Sequence, residues 1–181
     1  TTFGGNSREY TSWGSFITGL TPNTKYYYRV GSGLDNEWSE VHSFKTAVEK
    51  GDMDVAFYGD IQGGYNNFPN IVKRLNDLYP NIEFSILAGD VADNSHIYQE
   101  WTDIDRYTKE YFNNNVWMAT VGNHDVYDDA QAFTGYFYGP SNGTDGQVGA
   151  RNYYFEVGDA VFFNFDTEAG YGSYDPGYKK Q

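Results

Sequence analysis

The chain contains no cysteine. That excludes a disulfide framework, a thiolate metal site and a cysteine nucleophile, so any metal has to sit on oxygen and imidazole. Positive charge is scarce as well: 12 Lys+Arg stand against 25 Asp+Glu, a formal net charge of −13 at pH 7. Such a surface repels phosphate backbones and anionic membranes, which disfavours a nucleic-acid or polybasic membrane binder. No apolar run approaches the ~18 to 20 residues of a spanning helix. Thr1 opens the chain without a signal-peptide pattern, so the sequence is expected to start inside a longer protein or after processing. Aromatic residues are abundant, 19% of 181, with Tyr 18 and Phe 13 supplying most of the apolar bulk. That is ample for a packed core and too aromatic for a disordered chain.

Two compositional regions meet near residue 48. The first carries short aromatic and β-branched runs broken by turn residues: Trp13–Ile17, then Tyr26–Val30 after Thr21-Pro22-Asn23, then Trp38–Thr46 after Gly31-Ser32-Gly33. About three strands are expected, with Tyr26, Tyr28 and Val30 alternating onto one face. The second region changes rhythm. Asp54–Tyr58 is an apolar run ending at Gly59-Asp60, and Phe68, Ile71, Val72, Leu75 and Leu78 then recur at three and four, so a helix follows. Phe84–Ala88 ends at Gly89-Asp90, and Trp101, Ile104, Tyr107 and Tyr111 mark a second helix between about Ile97 and Phe112. Val116–Val121 ends at Gly122-Asn123-His124-Asp125. Tyr153–Val157 and Ala160–Phe165, separated by Gly158-Asp159, read as a hairpin. The alternation implies an α/β layer arrangement, a mainly parallel sheet covered by helices, to which the hairpin adds antiparallel strands. Ligands in such sheets gather at the carboxyl ends of strands, where Asp60, Asp90 and Asn123 all stand.

Gly-Asp alone proves little, since Gly51-Asp52 precedes its strand and Gly158-Asp159 marks a hairpin turn. The ordered series Gly-Asp, Gly-Asp-x-x-Asp, Gly-Asn-His-Asp has a direct physical meaning: it can build a two-metal cradle. Two dications ~3.5 to 4 Å apart repel by about 4 to 5 kcal/mol even at the dielectric of water, so something anionic has to lie between them. A carboxylate at the middle strand end can place one oxygen on each ion. A second carboxylate from a neighbouring strand end can hold one ion, and a neutral amide oxygen the other. Oxygen donors suit Mn, Mg or Fe, and imidazoles widen the choice to Zn.

Gly19-Leu20-Thr21-Pro22-Asn23-Thr24-Lys25-Tyr26-Tyr27-Tyr28-Arg29-Val30 resembles the late strands of a fibronectin type III domain. Gly59-Asp60-Ile61-Gln62-Gly63, Gly89-Asp90-Val91-Ala92-Asp93 and Gly122-Asn123-His124-Asp125 resemble the first three blocks of the calcineurin-like metallophosphoesterase superfamily. The pairing of the two is similar to purple acid phosphatases. The resemblance implies a partial four-layer α/β/β/α sandwich at residues 48–181, preceded at residues 1–47 by the last strands of a fibronectin-like β-sandwich, in a secreted or periplasmic phosphatase or phosphodiesterase. It further implies that Asp60 binds the first of two metal ions (Mn, Fe or Zn), Asp90 bridges both and Asn123 binds the second. His124 then faces the phosphate of a small phosphoester, with Asp93 orienting it, and a metal-bound water attacks in line. An adjacent carboxylate favours the imidazolium form, which stabilises phosphoryl charge or protonates a leaving alkoxide.

The sequence departs from that pattern in three places. Gln62 occupies a position commonly held by an imidazole, so the first ion loses a ligand unless the amide serves. Asp93 stands where the purple branch carries a Tyr ligand, so no tyrosinate-to-iron colour is expected. No histidine follows His124, so the further His ligands of the family are expected to lie beyond the chain, leaving the fragment weak or inactive. His42 is read as an exposed strand residue, and His96 as a surface residue at a helix start, with an approach to the site from the loop as its alternative. Asp125 is read equally as functional or as a turn or cap residue, and Asp166 as structural. Two other readings compete: an acidic extracellular module that binds sugars or proteins on exposed aromatics, with structural calcium on its Asp-rich loops, and a degenerate, noncatalytic relative prompted by Gln62.

Overall fold

The computed structural model describes residues 2–3, 10–34, 36–143 and 151–168. In the first region β1 (Thr2–Phe3) pairs antiparallel with β2 (Tyr10–Thr11), and β3 (Lys25–Tyr28) with β4 (His42–Lys45). Tyr26 and Tyr28 lie on one face of β3, where both rings meet Phe44 of β4 at 5.9 and 6.0 Å between centroids, while Tyr27 projects to the exposed side. Val30 lies beyond the strand and is exposed, so the alternating face is two residues long rather than three. The expected strand at Trp13–Ile17 does not form, and Trp13 is 91% exposed. A β-prone run needs a partner ladder to become a strand, and among the described residues none pairs with this one. The Trp38 run contributes only an isolated bridge to Gly31 before β4 begins. Hydrogen bonds tie this region to the second one, among them that between the Ser12 and Tyr138 hydroxyls at 3.1 Å. The Tyr28 hydroxyl donates to the Asn113 carbonyl at 2.8 Å, and the Ser43 N–H donates to Asn114 Oδ1 at 3.0 Å.

The second region follows the strand and helix rhythm of its apolar pattern. β5 (Asp54–Tyr58), β6 (Ile82–Ala88) and β7 (Trp117–Thr120) form a parallel sheet with β6 in the middle. α1 (Phe68–Leu78) and α2 (Tyr98–Phe112) connect them. A central parallel strand covered on both faces needs an unbroken apolar run, which is why Phe84, Ile86 and Leu87 are all buried, with Ser85 between them. Leu87 joins Phe68 and Val72 of α1, Trp101 and Ile104 of α2, and Phe133 of α3 (Gln131–Tyr136) in one core cluster. Ile71 and Leu78, on the far side of α1, are exposed, so its apolar stripe is wider than the face it buries.

The hairpin forms as expected, β8 (Tyr153–Val157) against β9 (Ala160–Asn164), but it does not extend the parallel sheet. It lies over the other face of β6: the Phe84 ring meets Phe155 and Phe162 edge-on at 5.6 and 5.3 Å. The Tyr153 hydroxyl and the Asn164 amide both donate to the Ala119 carbonyl of β7, at 2.7 and 3.0 Å. Helices, parallel sheet and second sheet are therefore three successive layers. Burying Phe84 and Ile86, which ladder pairing alone would leave open to water, accounts for the stacking.

Candidate metal centre

Three loops leave the carboxyl ends of β5, β6 and β7 and meet at Asp90. Asp60 and Asp90, each just past its strand, have φ of 51° and 50°, a left-handed conformation that Asp tolerates better than most residues. The β5 loop rides on the β6 loop: the Asp60 N–H donates to the Gly89 carbonyl at 3.3 Å and the Gln62 N–H to the Asp90 carbonyl at 3.2 Å. The nearly buried Asp90 carboxylate then reaches both neighbours. Its Oδ1 accepts the His124 N–H at 2.9 Å, and its Oδ2 accepts the Gln62 amide at 3.4 Å. Two glycines permit the approach. A Cβ on Gly122 would fall far inside van der Waals contact with the Asp90 carboxylate and amide nitrogen. One on Gly89, whose φ is +83°, would sit 2.8 Å from Gly122 Cα.

The loop after β7 is held by Asp125, which is completely buried. Its Oδ1 accepts the N–H groups of Val91 and Ala92 at 3.1 and 3.2 Å, and its Oδ2 that of Gly122 at 3.0 Å. It clamps one strand-end loop to the next and caps no helix. Burial pushes its carboxyl up to about 7, with the nearby Asp90 charge adding to the effect and the three N–H donors opposing it. Ser95, which sequence reasoning did not single out, reinforces the clamp by donating its hydroxyl to the Asp125 carbonyl at 2.9 Å.

His124 Nδ1 lies 2.7 Å from the backbone carbonyl of Asp93 and 3.4 Å from its Oδ1, so the carbonyl is the nearer partner. That hydrogen bond raises the imidazole pKa above its ordinary value. Burial opposes the rise, and the charges of Asp90, Asp93 and Asp125 assist it. Asn123 is exposed in the turn between Gly122 and His124, and Asp60 is exposed at its strand end. The structure therefore joins Asp90, His124, Asp93 and Gln62 by direct contacts, brings Asp60 alongside through the backbone, and carries Asn123 in the same turn as His124 without a side-chain contact to Asp90. His96 departs from the surface role expected for it: its ring lies 4.7 Å from that of Tyr127, and its Nδ1 is buried with no hydrogen-bond partner. Asp166 is buried against Arg151, which also reaches Asp129.

The donor chemistry of this region fits cations. Asp60 and Asp90 offer carboxylates, Asn123 an amide oxygen, and Gln62 Oε1 is buried without a hydrogen-bond partner. Among the described residues no three His, Cys, Asp or Glu side chains come together, so amide oxygens have to contribute to any ligand set here.

The calcineurin-like phosphoesterase family profile matches residues 53–175. The chain belongs to that family. A second profile, the purple acid phosphatase N-terminal domain, matches residues 2–46 of this calcineurin-like phosphoesterase chain. Purple acid phosphatase 21 of Arabidopsis thaliana is 31% identical over 110 residues, 59% of this chain and 23% of that protein. The structure of a purple acid phosphatase isolated from yellow lupin (Lupinus luteus) seeds superposes with a TM-score of 0.65 at 18% identity, covering 83% of this chain and 32% of that one. The likeness shows the mixed α/β fold. The chain thus spans under a third of the length of either relative.

Proposed function

We propose that this chain carries the first part of the dinuclear centre of a metal-dependent phosphoester hydrolase, a phosphatase or phosphodiesterase. The observation that carries the reading is the convergence of three strand-end loops on one nearly buried carboxylate, Asp90. In this reading residues 1–47 form the part of the chain akin to the N-terminal domain of purple acid phosphatases and residues 48–181 the first part of the catalytic domain. Asp60, Asp90 and Asn123 would hold the two ions, Asp90 between them. Bound there, the ions supply Lewis-acid charge and a nucleophilic water at neutral pH.

The protein's own groups do the rest. Asp90 fixes the turn carrying His124 by accepting its backbone N–H, so the imidazole is placed by the same side chain that serves the metals. The Asp93 carbonyl accepts the Nδ1 proton in a hydrogen bond, which leaves Nε2 as the nitrogen that meets a phosphoester oxygen. The substrate is a small phosphoester, admitted to an acidic protein because bound dications reverse the local field. Among the described residues no helix is long and apolar enough to cross a membrane, and the pairing with a purple-acid-phosphatase-type N-terminal region favours a secreted or periplasmic protein. A degenerate relative is the competing reading, favoured by Gln62.

The test is hydrolysis of p-nitrophenyl phosphate and bis(p-nitrophenyl) phosphate with Mn, Fe/Zn or Co, by this chain and by a longer protein containing it. Metal-dependent turnover lost in Asp90→Asn and reduced in His124→Ala supports the proposal, with the shorter chain expected to be the weaker. Turnover of neither ester by the longer protein under any of these metals overturns it.

A further inference from the structure

We propose that Glu100 is a positioning residue for His124: through the Asp93–Asn94 peptide it holds the carbonyl that fixes the imidazole, so that Nε2 is presented to the substrate. This rests on the phosphoester-hydrolase reading above, in which His124 meets the substrate. Glu100 stands in the first turn of α2, and both of its carboxylate oxygens are spent on one residue of the loop after β6. Oε2 accepts the Asn94 backbone N–H at 2.8 Å, and Oε1 accepts the Asn94 side-chain amide at 3.1 Å. The same amide donates to Asp93 Oδ2 at 3.2 Å, so Asn94 is a strut between two carboxylates.

The Asn94 N–H and the Asp93 C=O belong to one peptide unit. That unit is trans and planar, so its N–H and C=O point to opposite sides. Glu100 holds one side, and His124 Nδ1 lies 2.7 Å from the oxygen on the other. A carbonyl has no hydrogen to give, so Nδ1 carries a proton whether the ring is neutral or charged, and Nε2 is left for the substrate. A carboxylate on the N–H also polarises the peptide and makes its carbonyl a better acceptor. The Asp93 carboxylate is farther from the ring, at 3.4 Å, and its side chain is 56% exposed to screening water. Other groups hold the rest of the loop. The Ile97 N–H donates to the Asn94 carbonyl at 2.8 Å, the Trp101 indole to the Ser95 carbonyl at 2.7 Å, and the Ser95 hydroxyl to the Asp125 carbonyl at 2.9 Å. Loss of the Glu100 carboxylate therefore frees one peptide to turn and leaves the loop in place.

Two measurements test this: 15N spectra of the neutral His124 imidazole in this chain, and steady-state hydrolysis of the two p-nitrophenyl esters by a longer protein containing it. Near-UV circular dichroism checks each variant's fold. Glu100→Ala is expected to admit the Nε2-protonated tautomer and to lower kcat about tenfold, with KM within about twofold of the parent. Glu100→Gln keeps an oxygen for the Asn94 N–H without the charge, and is expected to keep the Nδ1-protonated tautomer with an intermediate kcat. Asp93→Ala, which retains the carbonyl, is expected to lose less kcat than Glu100→Ala. Parent-like tautomer and kcat in Glu100→Ala, or parent-like kcat in Glu100→Gln should the Ala variant misfold, overturns the role of Glu100 and leaves the hydrolase reading standing. A larger loss of kcat in Asp93→Ala than in Glu100→Ala does the same. Turnover of neither ester by the parent overturns the hydrolase reading and the positioning role with it, whatever the tautomer.

Discussion

Replacing Asp125 by alanine tests the idea that one buried carboxylate holds the candidate site in shape. The side chain has no exposure and accepts three peptide N–H groups, from Val91, Ala92 and Gly122. Truncation leaves three buried donors without an acceptor, each costing about 1–3 kcal/mol if nothing replaces it. Water entering the space relieves part of that, so a net loss of about 3–5 kcal/mol is expected. Set against a total stability of about 5–15 kcal/mol this is severe, and it lowers the melting temperature by roughly 10 °C for a chain of this size. Asp125→Asn should fall between: its oxygen can still serve Val91 and Ala92, but its NH2 group meets the Gly122 N–H donor to donor, costing about 1–3 kcal/mol. Urea unfolding gives the ordering, and amide hydrogen exchange at Val91, Ala92 and Gly122 gives the locality. An alanine variant within about 0.5 kcal/mol of the parent, with those amides still protected, would refute the clamp.

Gly122→Ala is expected to disturb the site more than the global fold, because its Cβ collides with Asp90 rather than with the core. Amide chemical shifts of Asp90 and His124 should move while the shift pattern of the hairpin stays in place. Phe84→Ala removes the ring that joins the parallel sheet to Phe155 and Phe162 and should cost about 3–5 kcal/mol by urea unfolding, with under 1 kcal/mol indicating that the layers do not depend on it. Burial pushes the Tyr153 phenol up to about 12 and raises Tyr65 and Tyr136 as well. The stability tied to Tyr153 is intact below pH 10. It falls by about 1.4 kcal/mol per pH unit between there and its folded value, because only the unfolded chain ionises in that window. Spectrophotometric titration should show these tyrosines ionising together with unfolding, and Tyr153→Phe should soften the alkaline decline.

Part of this protein can be read directly from residue order. Phe68, Val72, Trp101 and Ile104 recur at helical spacing and are buried on one face, and the apolar run at Phe84–Ala88 belongs to a strand buried on both faces. Asp60 and Asp90 stand where such runs stop, so their place at strand ends is legible. Trp13–Ile17 shows the limit: its composition is that of a strand, but pairing depends on a partner that no local pattern specifies. Ser95 and Asp125 escape a local reading for the same reason, since their burial comes from elements distant in the chain.

Local spacing determined the order of strands and helices and put three polar words at strand ends, because apolar periodicity and turn chemistry act over a few residues. Only the tertiary structure decided that Asp90 grips both Gln62 and the backbone of His124, and that Asp125 serves three peptide groups 3 to 34 residues away. It also decided that a backbone carbonyl is His124's nearest partner. Those contacts are made by side chains and peptide groups brought together by layer packing, and a peptide N–H or C=O carries the same chemistry at nearly every residue. Nothing in the letters marks which of them will be used.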